Sequence, residues 1–197
     1  TMKNNFVFDD MMHVVYSNNI RIYDCIFENA FSDGLDVDIS EMKINGCTIN
    51  NSGNDAIDLM SSKVLIEESV LINSGDKGVS VGEGTEVLIF NSRINNNVIG
   101  VETKDASHCY IVNSGFVDNK QQINAYRKNW RYQRGGFVYV DKSVFFSPAN
   151  KIKADKDSKV NIFDSTFSVG FPEPDRQVIL DEFSDNIKNM KSGASFV

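Results

Sequence analysis

The residues that could do chemistry recur at a fixed interval. Asp33 and Asp55 lie 22 positions apart, and so do Asp36 and Asp58. Glu102 falls two intervals beyond Asp58, with Ser80 between them. If the chain winds with that period, these carboxylates stack about 4.8 Å apart, one inter-strand spacing. Carboxylates that close titrate as a pair, one keeping its proton to higher pH. Such a pair could act as acid and base on a glycosidic bond. Asp33, Asp55, Asp36 and Asp58 are therefore the candidate catalytic residues. The same oxygens could hold calcium, the one cofactor the sequence leaves open. The plainer alternative is turn chemistry and a solvated acidic face.

A second group sits where the interval breaks. One step is seven residues longer than its neighbours, and the excess falls near Tyr126-Arg127-Lys128-Asn129-Trp130-Arg131-Tyr132-Gln133-Arg134. Insertions in repeat proteins become loops, often on a binding face. This one holds four cations, two tyrosines and the single tryptophan. Aromatic rings pack on sugar faces, and guanidinium groups bind carboxylates or sulfates through two bonds. Glu102, Lys104, Tyr126, Arg127, Trp130 and Arg131 form the candidate substrate-binding set. The alternative is that Trp130 folds back over its coil and the cations are solvated.

Other reactive residues offer less. His13 lies in an apolar strand slot and reads as structural; His108 reads as an exposed turn residue beside Ser107. Neither has an evident catalytic partner. Cys25, Cys47 and Cys109 are odd in number and lack Cys-x-x-Cys spacing, so neither a paired framework nor a zinc site is expected.

The elements that position these residues follow from the repeat. The slot Asp24-Cys25-Ile26-Phe27 returns at Cys47, Ser69, Ser92, Ser114, Ser143 and Ser165, with steps of 22, 22, 23, 22, 29 and 22 residues. Short alternating segments accompany it, such as Leu35-Asp36-Val37 and Met42-Lys43-Ile44. Alternation puts the first and third residues inward and the middle one outward. Three-residue strands are stable only if successive coils stack into parallel ladders. The pattern predicts an all-β, right-handed parallel β-helix of about seven coils over residues 1–170, with a helical or irregular cap over 171–197. Asn29, Asn51, Asn73 and Asn96 should form a side-chain ladder, continued by Asp118. Gly34, Gly78 and Gly100 suggest tight or positive-φ turns. Cys25 and Cys47, sharing a column with five serines, are expected to be small, reduced interior residues.

Charge limits the partners. Residues 1–105 hold 17 acidic against 7 basic residues, and 106–197 hold 10 against 13. An acidic first half argues against nucleic acid, which needs cationic density. No apolar run approaches the roughly 18 residues of a membrane span. The chain begins at Thr1 and not at methionine, which suggests a piece of a longer protein or a mature product.

The repeat resembles that of carbohydrate-active β-helix proteins, the pectate lyases and polygalacturonases. Phe31-Ser32-Asp33-Gly34 resembles the polygalacturonase Asn-Thr-Asp-Gly segment, and Gly53-Asn54-Asp55 resembles its Gly-Asp-Asp. Gly75-Asp76-Lys77-Gly78 falls where that family has Gly-His-Gly, and Arg93-Ile94-Asn95 near its Arg-Ile-Lys. The resemblance implies acid and base roles for Asp33 and Asp55. Asn54, Lys77 and Asn95 depart from the pattern. Gly53-Asn54-Asp55-Ala56-Ile57-Asp58 and Gly75-Asp76-Lys77-Gly78-Val79-Ser80 look more like β-helix regions beside spore-coat-kinase-like modules in bacterial surface proteins. The implied function is a secreted or cell-surface module contacting polysaccharide. The alternatives are an active lyase or hydrolase, and a structural or protein-interaction rod.

Overall fold

A computed structural model describes residues 1–167; the expected cap over 171–197 lies outside the described residues. Three parallel sheets run the length of the solenoid. Sheet A has eight strands, from Met2–Asn5 to Thr166–Phe167. Sheet B has seven, from His13–Val15 to Ile152–Ala154, and sheet C seven, from Ile20–Tyr23 to Lys159–Phe163. Each coil therefore carries three strands and closes onto the next. Such crossovers between parallel neighbours are almost always right-handed, because a twisted strand packs back onto its sheet only that way.

The expected columns are present. Leu35, Ile57, Val79 and Val101 pair in register and are fully buried. Asp36, Asp58, Ser80 and Glu102 pair in register on the opposite face. Ile44, Ile66, Ile89 and Ile111 form a matching interior column under sheet C. Aromatic side chains enter the core at both ends, with Phe27 buried in the first full coil and Phe116 stacked on Phe145 at 4.8 Å between ring centroids in the later ones.

The corners explain how so short a strand can turn. A residue in the left-handed region opens each bend: Asn29, Asn51, Asn73 and Asn96 after sheet A, and Ile39, Ser61 and Glu83 after sheet B. The asparagine amides link along the axis. Asn51 donates to Asn29 at 2.8 Å and Asn96 to Asn73 at 2.7 Å, but Asn73 donates to Asn50 at 2.8 Å, so the expected ladder steps sideways between Asn51 and Asn73. Between sheets C and A, each serine hydroxyl accepts the backbone N–H of the preceding coil. Cys47 donates to Ser69, Ser69 to Ser92, and Ser92 to Ser114, all at 3.1–3.2 Å. An equivalent file, Ser40, Ser62, Thr85 and Ser107, runs between sheets B and C. These ladders satisfy backbone donors that the bends remove from the sheets.

Three expectations change. Gly34, Gly78 and Gly100 do not adopt positive φ; only Gly46 and Gly84 do among the described glycines. Space is what they supply, since a Cβ on Gly34 would stand 2.5 Å from Ile49 Cγ2 and 2.8 Å from the Ala56 carbonyl. All three cysteines are free, but only Cys47 and Cys109 are buried; Cys25 is half-buried because it sits in the first full coil. His108 opens a strand of sheet C, half-buried, with its ring stacked on Phe137 at 5.2 Å.

Candidate functional site

Three columns stand on or beside the outer face of sheet B: a corner column that precedes most of its strands, a middle column, and a third that includes Asp38, Met60, Lys104 and Tyr126. The first contains Asp33, Asp55 and Lys77. Its aspartates are buried and engaged with the backbone. Asp33 Oδ1 accepts the Asp55 N–H at 2.7 Å and the Asn54 amide at 2.8 Å. Asp55 Oδ1 accepts the Lys77 N–H at 2.9 Å and lies 3.4 Å from Lys77 Nζ. Burial raises the pKa of Asp55 to about 7 against the opposing pull of Lys77. Lys77 itself is held well above its usual value: burial works against its charge, but Asp76 and Asp55 outweigh it. This pair stands 22 residues apart and stacks as the sequence implies, yet its oxygens hold the corner together.

The middle column runs through the strands themselves. His13, Asp36, Asp58, Ser80, Glu102 and Asn124 stand opposite one another on six successive strands. Asp36 carries a pKa raised to about 7, first through burial, then through the neighbouring Asp38 charge, with Asp58 and Asp10 adding to it and His13 opposing. The expectation that one stacked carboxylate keeps its proton to higher pH thus falls on Asp36.

His13 corrects the sequence reading. It points outward, with Nε2 3.1 Å from Asp38 and 3.6 Å from Asp36. Burial lowers its pKa, but the Asp38 hydrogen bond and the surrounding carboxylates outweigh that and raise it. Val14, not His13, is the inward residue of that strand. Spacing carried the signal, since His13 lies 23 residues before Asp36; the apolar neighbours hid it. Asp10 and Asp38 were missed because they flank the column at positions where the repeat returns no carboxylate, and Asn124 because it extends the column with a different residue type.

Asp10, His13 and Asp36 bring one nitrogen and two carboxylate oxygens within 4.8 Å of one another. Calcium takes roughly six to eight oxygens, so these three residues alone fit it poorly.

The far end of the face is closed by the insertion. The Tyr126 hydroxyl donates to Glu102 at 3.3 Å, and the Asn124 amide donates to the same carboxylate at 3.0 Å. Burial, followed by Glu102, pushes the Tyr126 pKa up to about 12. Lys104 is buried and donates to Ser80 at 2.9 Å. Beyond Tyr126 the loop is anchored by Asp105, whose Oδ1 accepts the N–H groups of Lys128 and Asn129 at 2.8 and 2.7 Å. Arg127 pairs with Asp157 at 3.1 Å. Trp130 does not fold back: it is 83% exposed, with the Arg131 guanidinium 5.8 Å from its ring centroid. The structure therefore joins Glu102, Lys104 and Tyr126 to the acidic column, and leaves Trp130 and Arg131 exposed on the loop beyond Tyr126.

A right-handed β-helix region family model matches residues 11–171. The chain belongs to the right-handed β-helix family. The match covers nearly all of the described solenoid, from just before the His13–Val15 strand to the last coil. No curated protein shows significant similarity to the chain.

Proposed function

We propose that this β-helix is a secreted or cell-surface module, part of a longer protein, that contacts a polysaccharide along the outer face of sheet B. The observation that carries the reading is the file from His13 to Asn124. Its accessible members are His13, Asp36 and Asp58 in three successive coils and Asn124 three coils further on, at the roughly 4.8 Å repeat of a parallel sheet, while Ser80 and Glu102 between them are buried. A linear, hydroxyl-rich polymer lying along the solenoid axis would meet carboxylates at one end and the Asn124 amide at the other. Tyr126 and the exposed Trp130 supply ring faces at one end. The cluster of Asp10, Asp36, Asp38 and Asp58 at the other end favours neutral or amino sugars over polyanions. Affinity electrophoresis in gels containing soluble polysaccharides tests this. Retardation by a neutral polymer, lost in an Asp58→Ala/Asn124→Ala variant, supports it; unchanged migration in every polymer refutes it.

Catalysis is a second reading, favoured by one observation: Asp36, with its pKa near 7, faces Asp58 in the adjacent coil and His13 at 3.6 Å. A protonated and an ionised carboxyl in one cluster are what glycosidic cleavage needs. Release of reducing ends by the wild type, abolished in Asp36→Asn, would establish it.

A further inference from the structure

Sheet C carries a second surface of different chemistry. Its central outward column runs Arg21, Lys43, Leu65, Leu88, Tyr110 and Tyr139, paired in register from coil to coil. These residues line a groove of about 880 Å³. Outward positions of a solvated sheet are ordinarily polar. Here four successive coils place Leu65, Leu88, Tyr110 and Tyr139 outside, the tyrosines 38% and 39% exposed. Phe90 and Val112, in the neighbouring outward column, widen the strip. The polar file on sheet B has no such strip, so the two faces select different partners.

The groove is also polarised. Two cations, Arg21 and Lys43, occupy one end of the central column, and the column contains no acidic residue. Lys43 pairs with Glu67 at 2.8 Å, while Arg21 is exposed and among the described residues has no ion-pair partner. Glu41 and Glu86 line the rim on either side of Lys63. From Arg21 to Tyr139 is five coil steps, about 24 Å at one inter-strand spacing each.

We propose that sheet C docks a polypeptide segment of a partner protein, apolar over its body and acidic at one end. The apolar body covers Leu65, Leu88, Tyr110 and Tyr139, and the acidic end faces Arg21. Aliphatic leucines offer little to a sugar ring, whereas Tyr, Arg and apolar side chains at the centre of a patch are typical of protein interfaces. An exposed apolar strip of this extent marks an interaction surface rather than ordinary surface scatter. Charge complementarity at Arg21 sets the direction in which the segment lies.

Fluorescence anisotropy with two synthetic 16-residue peptides tests the proposal. Both carry the same leucine- and phenylalanine-rich body; one ends in three glutamates and its twin in three lysines. The acid-ended peptide should bind the intact chain at least tenfold more tightly than its twin. Arg21→Glu should reverse that preference, and Leu88→Asp should weaken both peptides at least tenfold with an unchanged circular dichroism spectrum. Neutral-polysaccharide retention should survive Leu88→Asp, which separates this surface from sheet B. Equal binding of the two peptides, or insensitivity to Leu88→Asp, overturns the proposal. So does a wild-type dimer in sedimentation that Leu88→Asp converts to monomer, because the face would then be a self-interface.

Discussion

Replacing Ser92 by alanine tests the corner ladder at its most enclosed point. Ser92 is fully buried, accepts the Ser69 N–H at 3.1 Å and donates to the Phe90 carbonyl at 2.9 Å. Alanine removes both bonds and fills almost the same volume, so packing contributes little to the change. The Ser69 N–H is left buried without an acceptor, which costs about 1–3 kcal/mol, and the Phe90 carbonyl loses one of its donors. A loss of about 2 kcal/mol is expected, equivalent to roughly 4–8 °C in Tm for a chain of this size. Ser92→Cys should cost less, because Cys47 occupies the same column and its Sγ still lies 3.4 Å from the Asn45 carbonyl. Urea unfolding followed by far-UV circular dichroism gives both values. Losses below about 0.5 kcal/mol for Ser92→Ala, or a larger loss for cysteine than for alanine, would show that the serine file does not carry the corners.

Core and surface should separate cleanly: Ile89→Ala, fully buried in an isoleucine column, should cost about 2–5 kcal/mol, whereas Lys43→Ala removes a half-exposed ion pair and should cost about 0–1 kcal/mol, both read from denaturant midpoints. Stability should fall as pH rises. Asp36 and Asp55 have folded pKa values near 7 against an ordinary value of 3.8, so their contribution is complete below about pH 4 and is lost as pH climbs toward and through 7. His13, also raised, acts in the same direction. Calorimetric Tm should therefore be higher at pH 5 than at pH 8, and Asp36→Asn should flatten the slope; a Tm that rises over this range contradicts the assignment. Trp130, 83% exposed, should emit like free tryptophan and be quenched fully by iodide, and Trp130→Ala should leave Tm within about 1 °C.

The solenoid was legible because its period is written in residue types that cannot be exchanged freely. Leu35, Ile57, Val79 and Val101 must be apolar to fill the interior, and their spacing alone places Asp36, Asp58 and Glu102 on one outer face. Two steps of the asparagine ladder, Asn51 to Asn29 and Asn96 to Asn73, were legible for the same reason, while the link from Asn73 to Asn50 was not. What escaped was set by tertiary surroundings. Asp33 and Asp55 look like a free pair in sequence, but the Asp55 and Lys77 N–H groups that occupy them are backbone donors without a residue signature. His13 was hidden because the first coil is partial and its strand is reversed in exposure pattern. The serine file at Ser40, Ser62, Thr85 and Ser107 carries the same 22–23 residue signal as the file that was found, and a search at that spacing would have shown it. The glycines illustrate a different limit: close approach to Ile49 and to the next coil's carbonyls cannot be told from a positive-φ turn by residue type.

The measurement that bears most directly on the polysaccharide-contact reading is isothermal titration of the wild type and four variants with the neutral polysaccharide that retards it most in gels. Asp58→Ala and Asn124→Ala, both in the middle column of sheet B, should each weaken binding several-fold, and Trp130→Ala, on the loop beyond Tyr126, should weaken it as well. Leu88→Ala on sheet C should leave it unchanged. A wild type that gives no heat with any polymer, or binding that depends on Leu88 and not on Asp58 or Asn124, would contradict the assignment of sheet B as the contact face.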